Sequence, residues 1–254
     1  MTILETQNVS VSFGKLRAVS EFSFQVEQGE VHGLIGPNGA GKTTVFNAMT
    51  GVYHPSQGAI FLDGEDITTL PPHVVAKKGL TRSFQQTLVF MGETVLENML
   101  TGFHMSDRTG VMNEFLHTRK AKRADQESVD RSREILKLMG LDSLKNEFAG
   151  NLPHGHQKAL GVSMALACHP KVLLLDEPVT GMNPSETKEM AERILAIRQH
   201  GPTVVLVEHS MQVVMSICDR LTVMNYGRKI AGGSCDQVRC NEQVIEAYLG
   251  QEEG

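Results

Sequence analysis

Eight consecutive residues, Gly36-Pro37-Asn38-Gly39-Ala40-Gly41-Lys42-Thr43, restrict what this chain can become more than any other stretch. They follow the apolar run VHGLIG and lead into TVFNAM, so the pattern G-x-x-x-x-G-K-[ST] falls where a strand passes into a helix. Backbone N–H groups can turn inward around phosphate oxygens only where no side chain blocks the approach, which is what the glycines permit. The helix N-terminus adds partial positive charge at the same place. Lys42 is positioned to neutralise β- and γ-phosphates, and the Thr43 hydroxyl to coordinate Mg2+. The spacing predicts a helix beginning at Lys42 or Thr43 and ending near Gly51, a residue suited to the left-handed position just past a helix.

Around this element, short aliphatic runs alternate with helical stretches, the rhythm of an α/β chain. The segments ILETQNVSVSF, EFSFQVEQGE and GAIFLDGEDI alternate in polarity and read as antiparallel strands, with VHGLIG as the first parallel strand. Residues from about 91 to 159 carry helical patterns and no strand signal, including a helix with Ile135, Leu136 and Met139 on one face that stops at Gly140. The basic run at 117–123 in this region reads as a solvated helical face. From Lys171 the α/β alternation resumes with KVLLLDE, a helix over 185–199, TVVLVEH, a further helix and the hairpin-like LTVMNYGRKIAGG. Asn183, Pro184 and Glu186 supply an N-cap, a first-turn proline and a capping-box acid for the first of these helices. The organisation is a core split by a helical insert.

A phosphate loop needs an acid to hold metal and a group to activate water. Asp176 and Glu177 end the buried run LLLD and offer both: Asp176 for Mg2+ or its bound water, Glu177 for polarising the attacking water. Gln85 follows GLTRSF and His209 follows TVVLVE. In an open parallel sheet ligands bind outside the carboxyl ends of the strands, so Gly36, Gln85, Asp176 and His209 should converge on one edge. There Gln85 would orient water or sense the metal, and His209 would hydrogen-bond a γ-phosphate.

Composition narrows the class. Twenty-four Lys+Arg against 29 Asp+Glu give a formal charge of −5, which argues against a dedicated nucleic-acid binder. Four cysteines without a C-x-x-C pair suggest neither a zinc site nor a disulfide framework. No apolar run approaches the ~20 residues of a membrane span, so a membrane connection is expected to come through a partner.

Taken together, these residues resemble the nucleotide-binding subunits of ABC transporters over essentially the whole chain. The resemblance implies a P-loop NTPase fold with a RecA-like core, an N-terminal antiparallel β-subdomain and an inserted helical subdomain. Residues 1–254 would then form one ABC ATPase domain, with the core at about 1–88 and 160–254 and the helical subdomain at about 89–159. It implies ATP and Mg2+ as ligands. Phe13 would stack on adenine, and Gly36, Pro37, Asn38, Gly39, Ala40, Gly41, Lys42, Thr43 and Thr44 would bind the phosphates. Thr43, Gln85 and Asp176 would serve the metal, and Glu177, Gln85 and His209 the hydrolytic step. More narrowly, Thr81-Arg82-Ser83-Phe84-Gln85, the insert from Gly102 to Asp130, Gly181-Met182-Asn183-Pro184-Ser185-Glu186 and the ending Val244-Ile245-Glu246-Ala247-Tyr248-Leu249-Gly250 are similar to the ATPase subunits of branched-chain amino-acid importers. Urea importers, lipopolysaccharide exporters and non-transport ABC proteins are the alternatives.

One segment departs from the family. Its signature, usually Leu-Ser-Gly-Gly-Gln, stands here as Leu152-Pro153-His154-Gly155-His156, with proline where the serine would meet the γ-phosphate held by the opposite subunit. Proline suits the first turn of the following helix but offers no hydroxyl. A weakened site in each half of a homodimer makes a heterodimer with a related ATPase the favoured expectation. The further partners implied are two transmembrane permease subunits and, indirectly, a periplasmic solute-binding protein. The place implied is the cytoplasmic face of the bacterial inner membrane.

Overall fold

The computed structural model describes residues 1–83, 89–106 and 119–249, and it divides into two compact units, Met1–Arg82 with Lys171–Gly254, and Ser83–Pro170. The first unit holds two sheets. One has the order β2-β1-β4-β5, built from β1 (Thr2–Phe13), β2 (Leu16–Glu27), β4 (Gln57–Leu62) and β5 (Glu65–Asp66), all antiparallel. The N-terminal antiparallel strands expected from the alternating segments are therefore present. Their pairing is irregular: register shifts interrupt β1–β2, and Asn8 and Glu21 adopt positive φ of 49° and 50°.

The second sheet has the order β10-β9-β3-β8-β7-β6. Its strands are β3 (Val31–Ile35), β6 (Leu80–Ser83), β7 (Val172–Asp176), β8 (Thr203–Val207), β9 (Arg220–Asn225) and β10 (Arg228–Ser234). The strands β9, β3, β8 and β7 run parallel, and β10 returns antiparallel to β9 as the hairpin read from the sequence. Successive side chains of a strand point to opposite faces, and the two cores follow that rule. Leu34 and Met224 join a cluster with Phe22, Phe24 and Phe46, whereas their neighbours Ile35 and Val223 join Val214, Leu221, Val238 and Val244. Each fully buried phenylalanine contributes about 1.5–3 kcal/mol relative to exposure.

Helix α1 (Lys42–Met49) fills the first cluster and stops at Gly51, φ 75°. The Gly51 and Val52 amides donate back to the carbonyls of Ala48 and Asn47 at 3.1 and 2.9 Å, a Schellman closure. The remaining helices of this unit are α2 (Pro72–Lys77), α6 (Pro184–Gln199), α7 (Met211–Ile217), α8 (Cys235–Arg239) and α9 (Glu242–Leu249). In α6 the capping box is complete: Asn183 Oδ1 accepts from the Glu186 amide, and Glu186 Oε2 from the Asn183 amide, both at 3.0 Å.

The second unit packs α3 (Val95–Ser106), α4 (Arg119–Leu138) and α5 (His154–Ala167) against one another. Among its described residues no strand forms beyond an isolated bridge between Thr94 and Phe148. Buried Asn98 holds the entry to α3, accepting from the Phe90 amide at 2.8 Å and donating to the Phe90 and Thr94 carbonyls at 3.0 and 2.9 Å. The side chains of the basic run at 117–123 lie outside the described residues.

Candidate functional site

The loop after β3 is shaped by contacts that only glycine allows. A Cβ on Gly36 would stand 2.1 Å from the Met224 carbonyl oxygen, and one on Gly41, φ 101°, would stand 2.9 Å from the Ala18 carbonyl oxygen. Gly41 is also the N-cap of α1, and no side chain caps that helix. Its first-turn amides are thus left facing the loop, as anion binding at a helix N-terminus requires. Lys42 is buried, and its ammonium donates to the Gly36 and Pro37 carbonyls at 2.6 and 2.9 Å. Burial pulls its pKa down, while Glu177 and Asp176 act in the opposite direction.

Parallel strand ends bring the other groups up. Asp176 is the last residue of β7, and Arg82 Nη2 donates to its Oδ2. Arg82 also donates to Asn47 Oδ1 at 2.6 Å and lies over the Phe46 ring, 5.6 Å from its centroid. Glu177, the next residue, has φ 50°, a strained value for a side-chain-bearing residue of the kind found where function fixes geometry. Its amide donates to the Val207 carbonyl at 2.9 Å. That turn aims its carboxylate at the loop after β8, where His209 Nε2 lies 2.9 Å from Glu177 Oε1. Thr180 Oγ1 donates to Glu177 Oε2 at 3.3 Å.

These groups border a cavity of about 450 Å³ lined by residues 38–44, Glu177 and His209, together with Leu16, Arg17, Ala18, Tyr226 and Gly227. The structure therefore brings the glycine-rich loop, Glu177 and His209 together. Asp176 stands behind them, buried and paired. Phe13 closes β1 with its ring edge-on to Tyr53, centroids 5.1 Å apart, and is not among the lining residues. Gln85 lies outside the described residues.

Leu152, Pro153, His154, Gly155 and His156 open α5 in the second unit. Pro153 is the N-cap, with φ −54° and ψ 150°, one residue before the first helical turn that its ring geometry suggested, and it makes no side-chain cap bond. Its carbonyl still accepts from the His156 and Gln157 amides at 2.9 and 3.0 Å.

Arg17, Tyr226 and Gly227 carry no motif that the sequence could have flagged. Gly227 donates to the Ala40 carbonyl at 2.9 Å, so the β9–β10 turn braces the loop. Burial pushes the pKa of the Tyr248 phenol on α9 up, and the nearby Gly36 backbone acts in the opposite direction.

The donor set suits a magnesium nucleotide. Thr43 on the cavity wall is a hard oxygen donor of the kind Mg2+ takes, and a glycine cradle with an uncapped helix start and a buried lysine suits phosphate, while the Asp176 carboxylate is engaged by Arg82 behind that wall.

Comparison with known proteins agrees with this geometry. The family model described as ABC transporter matches residues 19–180, and that described as branched-chain amino acid ATP-binding cassette transporter matches residues 228–254. The high-affinity branched-chain amino acid transport ATP-binding proteins BraF of Pseudomonas aeruginosa and LivG of Escherichia coli are each 41% identical over 250 residues, 98% of this chain and 98% of theirs. The lipopolysaccharide export system ATP-binding protein LptB of Haemophilus influenzae is 32% identical, over 99% of each chain. The crystal structure of a nucleotide-free ATP-binding cassette from an ABC transporter superposes with a TM-score of 0.87 at 31% identity, over 99% of this chain and 100% of that one. A cassette in its ADP conformation follows at 0.85 and 30% identity, again over 99% and 100%. A phosphate loop braced from two sides, acids and a histidine at neighbouring strand ends, and likeness along the full length agree: this chain belongs to the ABC transporter family, as one of its ATP-binding subunits.

Proposed function

We propose that this protein hydrolyses ATP to drive an importer of branched-chain or related amino acids. The observation that carries the hydrolytic reading is the Glu177–His209 pair, held at 2.9 Å on the wall of the phosphate-loop cavity. ATP would seat its phosphates on the amides of residues 38–44 and the Lys42 ammonium, with Thr43 and Asp176 holding the Mg2+ that withdraws charge from the phosphate oxygens. Glu177 accepts a proton from the water that attacks the γ-phosphorus in line, and the products are ADP and inorganic phosphate. His209 fixes the Glu177 carboxylate in the cavity. Gln85, as a water- or metal-sensing group, and Phe13, as the adenine platform, complete the assignment by resemblance.

The solute follows from the relatives' names and from the C-terminal match over residues 228–254. The working unit in this reading pairs the chain with a second ATPase subunit, a heterodimer being favoured, on two transmembrane permease subunits fed by a periplasmic binding protein. No described helix is long and apolar enough to cross a membrane, so membrane attachment is assigned to those subunits. Phe90 and Met91, 52% and 47% exposed beside buried Val89, present apolar surface suited to such a contact.

The test is hydrolysis in the assembled transporter. Glu177→Gln should lower turnover ~10²–10⁴-fold while ATP still binds, and Lys42→Ala should weaken nucleotide binding itself. Near-normal turnover in the Glu177→Gln protein removes Glu177 from the chemistry. Identifying the permease subunits that co-purify settles the solute class.

A further inference from the structure

Glu208 is 2% exposed and plays no part in the hydrolytic scheme. It lies between the last residue of β8 and His209, and no Lys, Arg or His among the described residues makes an ion pair with it. Its carboxylate is instead held by backbone. Oε1 accepts from the Val179 amide at 2.9 Å, and Oε2 accepts from the His209 amide at 3.1 Å. Burial pushes its pKa up, and these amides act against that shift.

The segments so joined are the two that carry the reactive pair. Val179 lies two residues after Glu177, in the turn whose Thr180 touches the Glu177 carboxylate. His209 is the other member, and Ser210 caps α7, its side chain accepting from the Val213 amide. One carboxylate therefore spans the turn after β7 and the turn after β8, in parallel with the Glu177–His209 contact on the cavity side. A buried carboxylate is costly unless satisfied, and a side chain that only filled space here would be apolar. Two backbone amides held at 2.9 and 3.1 Å by the two oxygens of one buried carboxyl group form a stiff brace between the turns.

We propose that Glu208 is a positioning residue: by tying the Val179 and His209 amides to one carboxylate, it sets the separation and facing of Glu177 and His209. Movement of the turn after β7 is then passed to His209 through this bridge. The inference rests on the hydrolytic reading of that pair.

The experiment compares Glu208→Gln with the parent protein in the assembled transporter. Glutamine keeps the shape and one acceptor but presents an NH2 group to an amide that needs an oxygen. The expected result is a kcat lowered about 10- to 100-fold, with KM for ATP and the affinity for non-hydrolysable ATP changed less than about twofold, in protein that stays folded and assembled. A purely structural role predicts a lower melting temperature with kcat per folded complex unchanged, and that outcome overturns the proposal. Parallel falls in kcat and nucleotide affinity also overturn it, because they mean the phosphate loop itself was disturbed. If Glu208→Gln does not fold, Glu208→Asp decides by the same measurements: its carboxylate, drawn back by one methylene, loses one of the two amides and should lower kcat alone. A Glu177→Gln control keeps the two readings apart. Retained turnover there refutes the hydrolytic role of Glu177, whereas lost turnover there with normal turnover in the Glu208 variant refutes only the brace.

Discussion

Arg82 and Asp176 form an ion pair sealed inside the protein, their side chains 7% and 2% exposed, with the guanidinium also bound to Asn47 and stacked on Phe46. The acid assigned to metal is thereby fixed to α1, the helix that leaves the phosphate loop. Removing one partner of a buried pair strands the other charge. Arg82→Ala should therefore cost about 3–5 kcal/mol of stability, read by urea unfolding. Adding Asp176→Asn should recover part of that loss. A single-variant cost under about 1 kcal/mol would show that the pair is open to water.

Two glycines of the loop should respond differently to alanine. At Gly36 the methyl would meet the Met224 carbonyl at 2.1 Å, so Gly36→Ala must push the hairpin away and should abolish ATP binding in equilibrium titrations. At Gly39, φ 77°, nothing lies within 4 Å of the added carbon. Gly39→Ala should fold, with only the left-handed backbone strain of about 1–2 kcal/mol.

Pro153→Ser would restore the family's hydroxyl at a position whose extended backbone already suits a serine N-cap. The gained cap contributes about 0.5–2 kcal/mol, and the looser unfolded chain offsets about 0.4–1 of it. Stability should move little, so turnover in the assembled complex is the informative measurement. A rise of tenfold or more is expected if the hydroxyl reaches phosphate on the partner, since a hydrogen bond to a charged group contributes ~1.5–3 kcal/mol.

Thiol labelling should separate the cysteines by environment. Burial pushes the Cys218 thiol far up, with Cys235, Asp219 and Glu208 adding to it, and burial alone raises Cys168. Cys240 is exposed. Because the thiolate is the nucleophile, iodoacetamide near neutral pH should alkylate Cys240 at least about tenfold faster than Cys218, and denaturation should remove the difference. Raising the pH through the alkaline range should accelerate Cys218 last.

What the sequence disclosed was local. The strand-loop-helix unit at 31–49 and the capping box of Asn183 and Glu186 depend on neighbours a few residues apart, and both stand as expected. A second capping box, Thr94 with Glu97, carries the same T-x-x-E signal and passed without notice. The bridge from Arg82 to Asp176 spans 94 residues, and that from Val179 to Glu208 spans 29. No periodicity encodes such pairs, because each depends on how strands are ordered in the sheet. Arg17 and Tyr226 were missed for the same reason, being brought to the cavity by the β1–β2 and β9–β10 turns.

The position of β3 has a consequence for how the protein is made. Its two neighbours in the sheet are β8 and β9, which begin at Thr203 and Arg220, so the strand that carries the phosphate loop has no paired edge until the last fifth of the chain is available. The loop's braces at Met224 and Gly227 arrive equally late. On the ribosome, the eight residues proposed to hold phosphate are translated well before the strands that give them their shape, and nascent chains stalled before residue 227 are expected to lack a formed pocket in which to hold a nucleotide.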